Sequence, residues 1–269
     1  MSFFQVENIE AGYGEKKVLR SVSFFCGSGL LLGILGANGS GKTTLMKSIC
    51  GILPHGGNCT LDGTSLENLS PRQIARLCSY IPQRSGISID ISALDVVLMG
   101  YNPRLGLLEQ PDKKMREAAR KALCQVGLKE HIEDNYLTLS EGQKQLCILA
   151  RTLVSESKLL LLDEPESALD FRYRYRMMEI LDQWVHQGTR TAILNLHDPG
   201  LALRYCDRLV LLHEGIVAGV LNPASDSLKE MEEQLARIYG KVTLTRCLDH
   251  QGLEHLVMLK EWEDETWNQ

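Results

Sequence analysis

Long hydrophobic runs are missing from this 269-residue chain. Nowhere do about 18 consecutive apolar residues occur, so no segment is expected to cross a bilayer as a helix. If the protein acts at a membrane, another chain must supply the spanning part. The opening MSFFQVENIE lacks the basic start and apolar stretch of a secretory signal. The eight cysteines, Cys26, Cys50, Cys59, Cys78, Cys124, Cys147, Cys206 and Cys247, include no CxxC pair and no Cys/His spacing that suits zinc. They read as free thiols in a reducing cytoplasm. Neither sign of charge dominates: 29 Lys and Arg against 34 Asp and Glu leave a net charge of -5. That balance gives no global electrostatic reason to bind nucleic acid or anionic lipid, and leaves room only for a local basic patch. No repeat of about 20 to 50 residues is visible, which excludes a solenoid. What is there, 44% hydrophobic and 23% charged residues with a mean hydropathy of -0.12, is the balance of a chain that folds in water around a sizeable core.

The chain changes character along its length. Val18 to Phe25 reads as extended, Leu30 to Leu35 is a short apolar run, and a glycine-rich turn from Gly36 leads into a helix near Thr43 to Ile49. From about Arg84 the pattern turns helical. Asp112 to Val126 carries Met115, Ala118, Ala119, Ala122, Leu123 and Val126 at helical spacing, and Ser140 to Leu153 reads as a second amphipathic helix. After it, Leu159 to Leu162, Thr191 to Leu196 and Arg208 to Leu212 alternate with helical segments, as expected of a parallel sheet covered on both faces. Val242 to Cys247 and His255 to Leu259 are predicted to pair as a hairpin across the Asp249-His250-Gln251-Gly252 turn. The acidic end EWEDETWNQ reads as a frayed tail.

Two motifs carry chemistry by themselves. Gly36-Ala37-Asn38-Gly39-Ser40-Gly41-Lys42-Thr43 fits G-x-x-x-x-G-K-[ST] at every fixed position. Its glycines let several backbone N–H groups point at one phosphate, Lys42 adds a cation near the β and γ phosphates, and Thr43 offers a hydroxyl to Mg2+. Leu159-Leu160-Leu161-Leu162-Asp163-Glu164 sets two carboxylates at the end of an apolar run. As a buried strand, the run would present them at the sheet edge where ligands sit, with Asp163 holding Mg2+ through water and Glu164 polarising the attacking water. Leucine is no strand specialist, so the run alone is equally compatible with a helix.

The order of further motifs resembles the ATP-binding subunits of ABC transporters over roughly residues 3 to 240. Gln83 in Tyr80-Ile81-Pro82-Gln83 is similar to the family's Q-loop, and Leu139-Ser140-Glu141-Gly142-Gln143 to its LSGGQ signature. Ser167-Ala168-Leu169-Asp170 resembles the D-loop, and His197 in Leu196-His197-Asp198 the H-loop. The resemblance implies an α/β P-loop NTPase core with an N-terminal antiparallel β subdomain and a helical subdomain inserted at about 84–156. The cassette would end near residue 240, leaving 241–269 as hairpin and tail. It implies ATP and Mg2+ as ligands, with Tyr13 on the adenine, Gly36, Asn38, Gly39, Ser40, Gly41, Lys42, Thr43 and Thr44 around the phosphates, and Thr43, Gln83 and Asp163 toward the metal. Glu164, His197 and Gln83 would be catalytic. Ser140, Gly142 and Gln143 would reach the γ-phosphate held by a second copy in a head-to-tail homodimer, so that two chains make two sites.

Two departures stand out. Glu141 replaces the signature's first glycine and is expected to point outward, favouring the helix N-terminus. Glu166 stands where a threonine commonly follows Asp-Glu-Pro, and the sequence offers no account of it. Val96-Val97-Leu98-Met99-Gly100-Tyr101-Asn102-Pro103-Arg104-Leu105-Gly106 looks like the MGR-x-P-H-x-G stretch of ATPases that serve iron-chelate, haem and cobalamin importers, with Tyr101 and Arg104 departing from the usual Arg and His. Cys206-Asp207-Arg208 and Tyr239-Gly240 agree with that branch. The resemblance therefore implies an ATPase on the cytoplasmic face of the cell membrane, bound to a separate permease that is fed by an extracellular substrate-binding protein. The alternative is a soluble ABC ATPase acting on nucleic acid or ribosomes. The interleaved Phe171-Arg172-Tyr173-Arg174-Tyr175-Arg176 suits it at first sight, yet the string reads as the start of a surface helix with its arginines solvated, and the net charge gives no reason to expect nucleic acid.

Overall fold

The computed structural model describes residues 3–83, 86–106 and 108–261. From the acidic end, only Glu261 lies within the described residues. Strands β1 (Phe4–Tyr13) and β2 (Lys16–Cys26) form a long hairpin, followed by β3 (Leu31–Leu35), α1 (Lys42–Ile49), β4 (Gly56–Leu61) and the short β5 (Thr64–Ser65). Next come α2 (Pro71–Leu77) and β6 (Cys78–Ile81), then a helical stretch of α3 (Ala93–Leu98), α4 (Lys113–Gln125) and α5 (Glu141–Val154). The chain then alternates through β7 (Leu159–Asp163), α6 (Phe171–His186), β8 (Thr191–Asn195), α7 (Pro199–Tyr205) and β9 (Arg208–His213). It finishes with β10 (Ile216–Leu221), α8 (Leu228–Tyr239) and the hairpin β11 (Val242–Leu248) and β12 (Glu254–Lys260).

The central sheet has the order β10-β9-β3-β8-β7-β6, parallel throughout except for β10 against β9. Every residue of β3, β7 and β8 is buried, which is why these strands read as continuous apolar runs. Alternate side chains serve two cores. Leu31, Leu35, Leu160, Leu162, Ala192 and Leu194 join α6 and the helical stretch on one face. Leu32, Ile34, Leu159, Leu161 and Ile193 meet α1 and the antiparallel sheet β2-β1-β4-β5 on the other. The leucines before Asp163 are therefore strand, and Asp163 and Glu164 stand at its C-terminal end.

Helix α4 starts from the Asp112 cap, whose carboxylate accepts the Met115 N–H at 2.8 Å. Ala119, Ala122, Leu123 and Val126 are buried as the spacing predicts, whereas Ala118 is exposed on the solvent side. The stretch after Gln83 ends α3 in a tight turn over Met99–Tyr101 that buries Tyr101. Gly100 is required there, because a Cβ would lie 2.2 Å from the Arg151 carbonyl oxygen of α5. Arg72 and Arg76 from α2 donate to the Pro103 carbonyl at 3.1 and 2.8 Å, and Arg104 pairs with Glu156.

The predicted C-terminal hairpin is present, with Val242 opposite Lys260 and Leu248 opposite Glu254. Its turn is tied by Asp249, whose carboxylate accepts the Gln251 and Leu253 N–H groups at 2.8 and 3.0 Å and holds His255 Nε2 at 2.8 Å. Those contacts, His255 first, hold the Asp249 carboxyl down at about 2. Val242 and Leu244 belong to the larger core, and the Leu244 N–H donates to Glu232 of α8 at 2.6 Å. Truncating Leu244 to Ala should leave a cavity between hairpin and core and lower unfolding stability by about 2–5 kcal/mol, readable by denaturant titration. A hairpin loosely attached to the core would give less than about 1 kcal/mol.

Candidate functional site

The loop between β3 and α1 curls as its glycines require. Gly39 and Gly41 have φ of 80° and 106°, and a Cβ on Gly36 would meet the Leu212 carbonyl oxygen at 2.3 Å and Ser40 Oγ at 2.6 Å. Gly41 caps α1, and the first turn of that helix carries no acidic side chain to offset its positive end. Lys42 folds back over the loop, donating from Nζ to the carbonyls of Gly36 at 2.7 Å and Ala37 at 3.3 Å. Burial lowers its pKa, opposed by the carboxylates of Glu164, Asp163 and Glu166. Ser40 Oγ is buried with no hydrogen-bond partner. An orphaned hydroxyl, an ammonium resting on its own loop and an open helix N-terminus together fit a phosphate chain.

Asp163 is 2% exposed. Its Oδ1 accepts from Thr43 Oγ1 at 3.0 Å and Asn195 Nδ2 at 2.6 Å, and its Oδ2 accepts from the Tyr80 hydroxyl at 3.1 Å. Burial, then the charge of Asp163, pushes the Tyr80 phenol well above its ordinary value, so the phenol stays a donor. A hydroxyl in contact with an ionised carboxylate is an all-oxygen pair of the kind that a hard divalent cation takes. The sequence reading had no signal for Asn195 or Tyr80, which reach Asp163 only through the sheet register.

Glu164 follows β7 with φ of 53°, a left-handed backbone that an L-residue adopts at a cost. The turn aims its carboxylate between two other predicted residues. Gln83 Nε2 donates to Oε2 at 2.6 Å, and His197 Nε2 lies 2.5 Å from Oε1. These three side chains, Lys42, Thr43 and Thr44, with Asn38, Gly39 and Gly41, line one cavity of about 810 Å³ that Tyr13 flanks from the β1–β2 turn. Gly36 and Ser40 of the same loop are buried. Lys16, Lys17 and Arg20 of β2 add basic lining that sequence reasoning missed.

Ser140, Gly142 and Gln143 are not among the residues lining that cavity. Ser140 caps α5 in a capping box, its hydroxyl accepting the Gln143 N–H while Gln143 Oε1 accepts the Ser140 N–H at 2.9 Å. The Gln143 amide nitrogen contacts His131 Nε2 at 2.9 Å, so both ends of this side chain are engaged within the chain. Glu141 extends to solvent and pairs with Lys144 at 2.8 Å.

Glu166, left without an account by the sequence, is 3% exposed beneath His197. Its Oε1 accepts the His197 backbone N–H at 2.9 Å, while Oε2 is buried without a partner. Burial pushes this carboxyl up, against the pull of the His197 amide and the Arg174 charge. Arg174 of α6 leans to Asp198 at 3.7 Å and to the Leu169 carbonyl at 3.5 Å, so this arginine of the basic-aromatic string is tied down, whereas Phe171 is exposed with its ring tilted against Tyr175.

Comparisons with known proteins agree with this geometry. The family model described as ABC transporter matches residues 19–167. Hemin import ATP-binding protein HmuV of Bordetella pertussis is 34% identical over 245 residues, covering 88% of this chain and 91% of that protein. Manganese transport system ATP-binding protein MntB of Bacillus subtilis is 35% identical over 212 residues, 78% and 82% of the two chains. A solved structure described as a metal-chelate type ABC transporter in an inward-facing conformation superposes with a TM-score of 0.80 at 24% identity, over 97% of this chain and 99% of its own, a likeness of fold. With its phosphate loop, its Asp163-Glu164 strand end and relatives over most of its length, the chain belongs to the ABC transporter family as an ATP-binding subunit.

Proposed function

We propose that this subunit hydrolyses ATP between two copies of itself, works with a separate membrane permease at the cytoplasmic face of the membrane, and powers uptake of a metal-bearing substrate, a metal chelate or haem foremost. The observation that carries the chemistry is Glu164, held between Gln83 and His197 over the cavity that contains Lys42. HmuV supports the substrate class, as does the Val96–Gly106 stretch. MntB widens it to metals in general. No helix among the described residues is long and apolar enough to cross a membrane, and the spanning part in this reading is the permease's own.

The loop backbone, Ser40 and Lys42 hold the phosphates, and Tyr13 stacks on the base at the cavity mouth. Mg2+ would be held by Thr43, Asp163 and Gln83, where it would neutralise charge on the β and γ oxygens. Glu164 accepts a proton from water as the water oxygen bonds to the γ-phosphorus and the bond to the bridging oxygen breaks, giving ADP and phosphate. In the structure His197 and Gln83 both contact Glu164, so a γ-phosphate must draw them off the carboxylate for His197 to hold a terminal oxygen. Binding and release of the base are thereby one event. Ser140 and Gly142, which do not line their own chain's cavity, offer the helix N-terminus to the partner copy's γ-phosphate.

Glu164→Gln should keep ATP affinity, lower turnover by about 100- to 10,000-fold and trap an ATP-bound dimer visible by light scattering. Turnover equal to that of the unmodified protein removes Glu164 from this role. Lys42→Ala should instead lose nucleotide binding itself, measured with a fluorescent ATP analogue. Glu166→Gln keeps an acceptor for the His197 N–H and should preserve turnover. Glu166→Ala leaves that N–H unpaired, which should cost about 1–3 kcal/mol of stability and lower kcat more than it raises KM. Because burial raises the Glu166 carboxyl, the stability it lends is full at low pH and falls as pH rises above the ordinary value of 4.5. The Gln variant should flatten that part of the stability profile.

A further inference from the structure

Away from the nucleotide cavity, the turn that leaves α1 meets β4 and the segment after β5 at three unlike donors. The ligand atoms of His55, Cys59 and Glu67 all lie within 4.8 Å of one another. Cys59 is fully buried, and the His55 and Glu67 side chains are 10% and 27% exposed. His55 Nδ1 lies 3.1 Å from the Gly56 carbonyl oxygen. A carbonyl oxygen only accepts, so Nδ1 carries the proton, and in the neutral ring the Nε2 lone pair faces Glu67 Oε1. That separation is 3.9 Å, too long for a hydrogen bond. With the ring neutral, two acceptors face each other across a gap, with a thiol beside them.

The partners around these donors are those of a ligand set. Glu67 is held by the Cys59 N–H on Oε1 at 2.5 Å and by the Ser65 hydroxyl on Oε2 at 2.8 Å. Each oxygen keeps a lone pair. An imidazole that gives its far N–H to a backbone carbonyl and a carboxylate oriented by hydrogen bonds are the outer contacts that metal ligands use. A cavity of about 360 Å³, lined by His55, Glu67, Ser48 and Pro54 among others, leads to the group.

We propose that His55, Cys59 and Glu67 form a site for one borderline-soft divalent cation, zinc being the ion that a nitrogen, sulfur and carboxylate oxygen set suits, with water as the fourth ligand. Cys59 Sγ loses its proton to solvent as the metal–sulfur bond forms, while the imidazole enters neutral and the carboxylate ionised. Without the ion, burial and then Glu67 push the Cys59 thiol far up, so it stays protonated. A bound cation reverses that balance. The ion would fasten the turn after α1 to β4 and to the segment after β5. No sequence spacing announces the site, because Glu67 returns to Cys59 only through the β4–β5 hairpin.

The test is titration of the full-length, nucleotide-free protein with Co2+, followed by Zn2+ competition. The expected result is one cobalt per chain with thiolate charge-transfer absorption and tetrahedral visible bands, displaced by zinc. The charge-transfer band should vanish in Cys59→Ser and persist in Cys78→Ser, a neighbouring buried thiol. His55→Ala and Glu67→Gln should each weaken binding at least about tenfold. These two carry the test if circular dichroism shows that Cys59→Ser does not fold. Absence of a thiolate band, its survival in Cys59→Ser, or unchanged affinity in both His55→Ala and Glu67→Gln overturns the site and leaves a His55–Glu67 ion pair. The readout involves no ATP turnover, so it stands or falls apart from the transport reading.

Discussion

A carboxylate buried at the end of a strand must be answered by donors, because an unpaired charge out of water costs several kcal/mol. Asp163 is answered three times, from three different elements: Thr43 of α1, Tyr80 of β6 and Asn195 of β8. Asp163 is the register partner of Asn195, and Tyr80 pairs with Leu161 two residues earlier on β7. A slip of one residue in either pairing would turn a donor to the opposite face and strand the charge. The same satisfaction keeps the Thr43 hydroxyl, the first residue beyond Lys42, against the acidic strand end. Local electrostatics and sheet register thus fix one another, and the nucleotide cavity inherits its geometry from both.

The next layer out is built on Glu164 and Glu166, which sit either side of Pro165 with opposite tasks. Glu164 projects into the cavity on a left-handed backbone, and its charge is shared by Gln83 and His197. Glu166 turns inward and grips the main chain of His197. One short turn therefore touches the histidine by side chain and by backbone. The histidine's reach is set by the acid below it as much as by the acid in front.

Much of this was legible because the physics was local or periodic. The runs that became β3, β8 and β9 declared themselves through burial on both faces, and the Ser140-x-x-Gln143 capping box is written in four consecutive residues. The leucine run before Asp163 was open between strand and helix until its neighbours in the sheet decided it. What the residues could not announce depends on contacts far apart in the chain: Tyr80 and Asp163 are 83 positions apart, Asn195 and Asp163 are 32 apart, and Glu166 meets His197 across 31. Ala118 sat on the apolar stripe by spacing, yet a small side chain at the edge of the stripe is left in water. The motif order identified the family, and the reach of individual side chains came only with the fold.

The cysteines give the molecule a property apart from its chemistry. Burial raises the thiols of Cys26, Cys50, Cys59, Cys78, Cys147 and Cys206 above their ordinary range, while Cys124 at the end of α4 and Cys247 on β11 are exposed. Alkylating dyes need a thiolate and a path to it. The unaltered chain is therefore a ready two-colour ruler, with one fluorophore on the helical stretch and the other on the terminal hairpin, and no engineering needed to watch the distance between them change through a transport cycle.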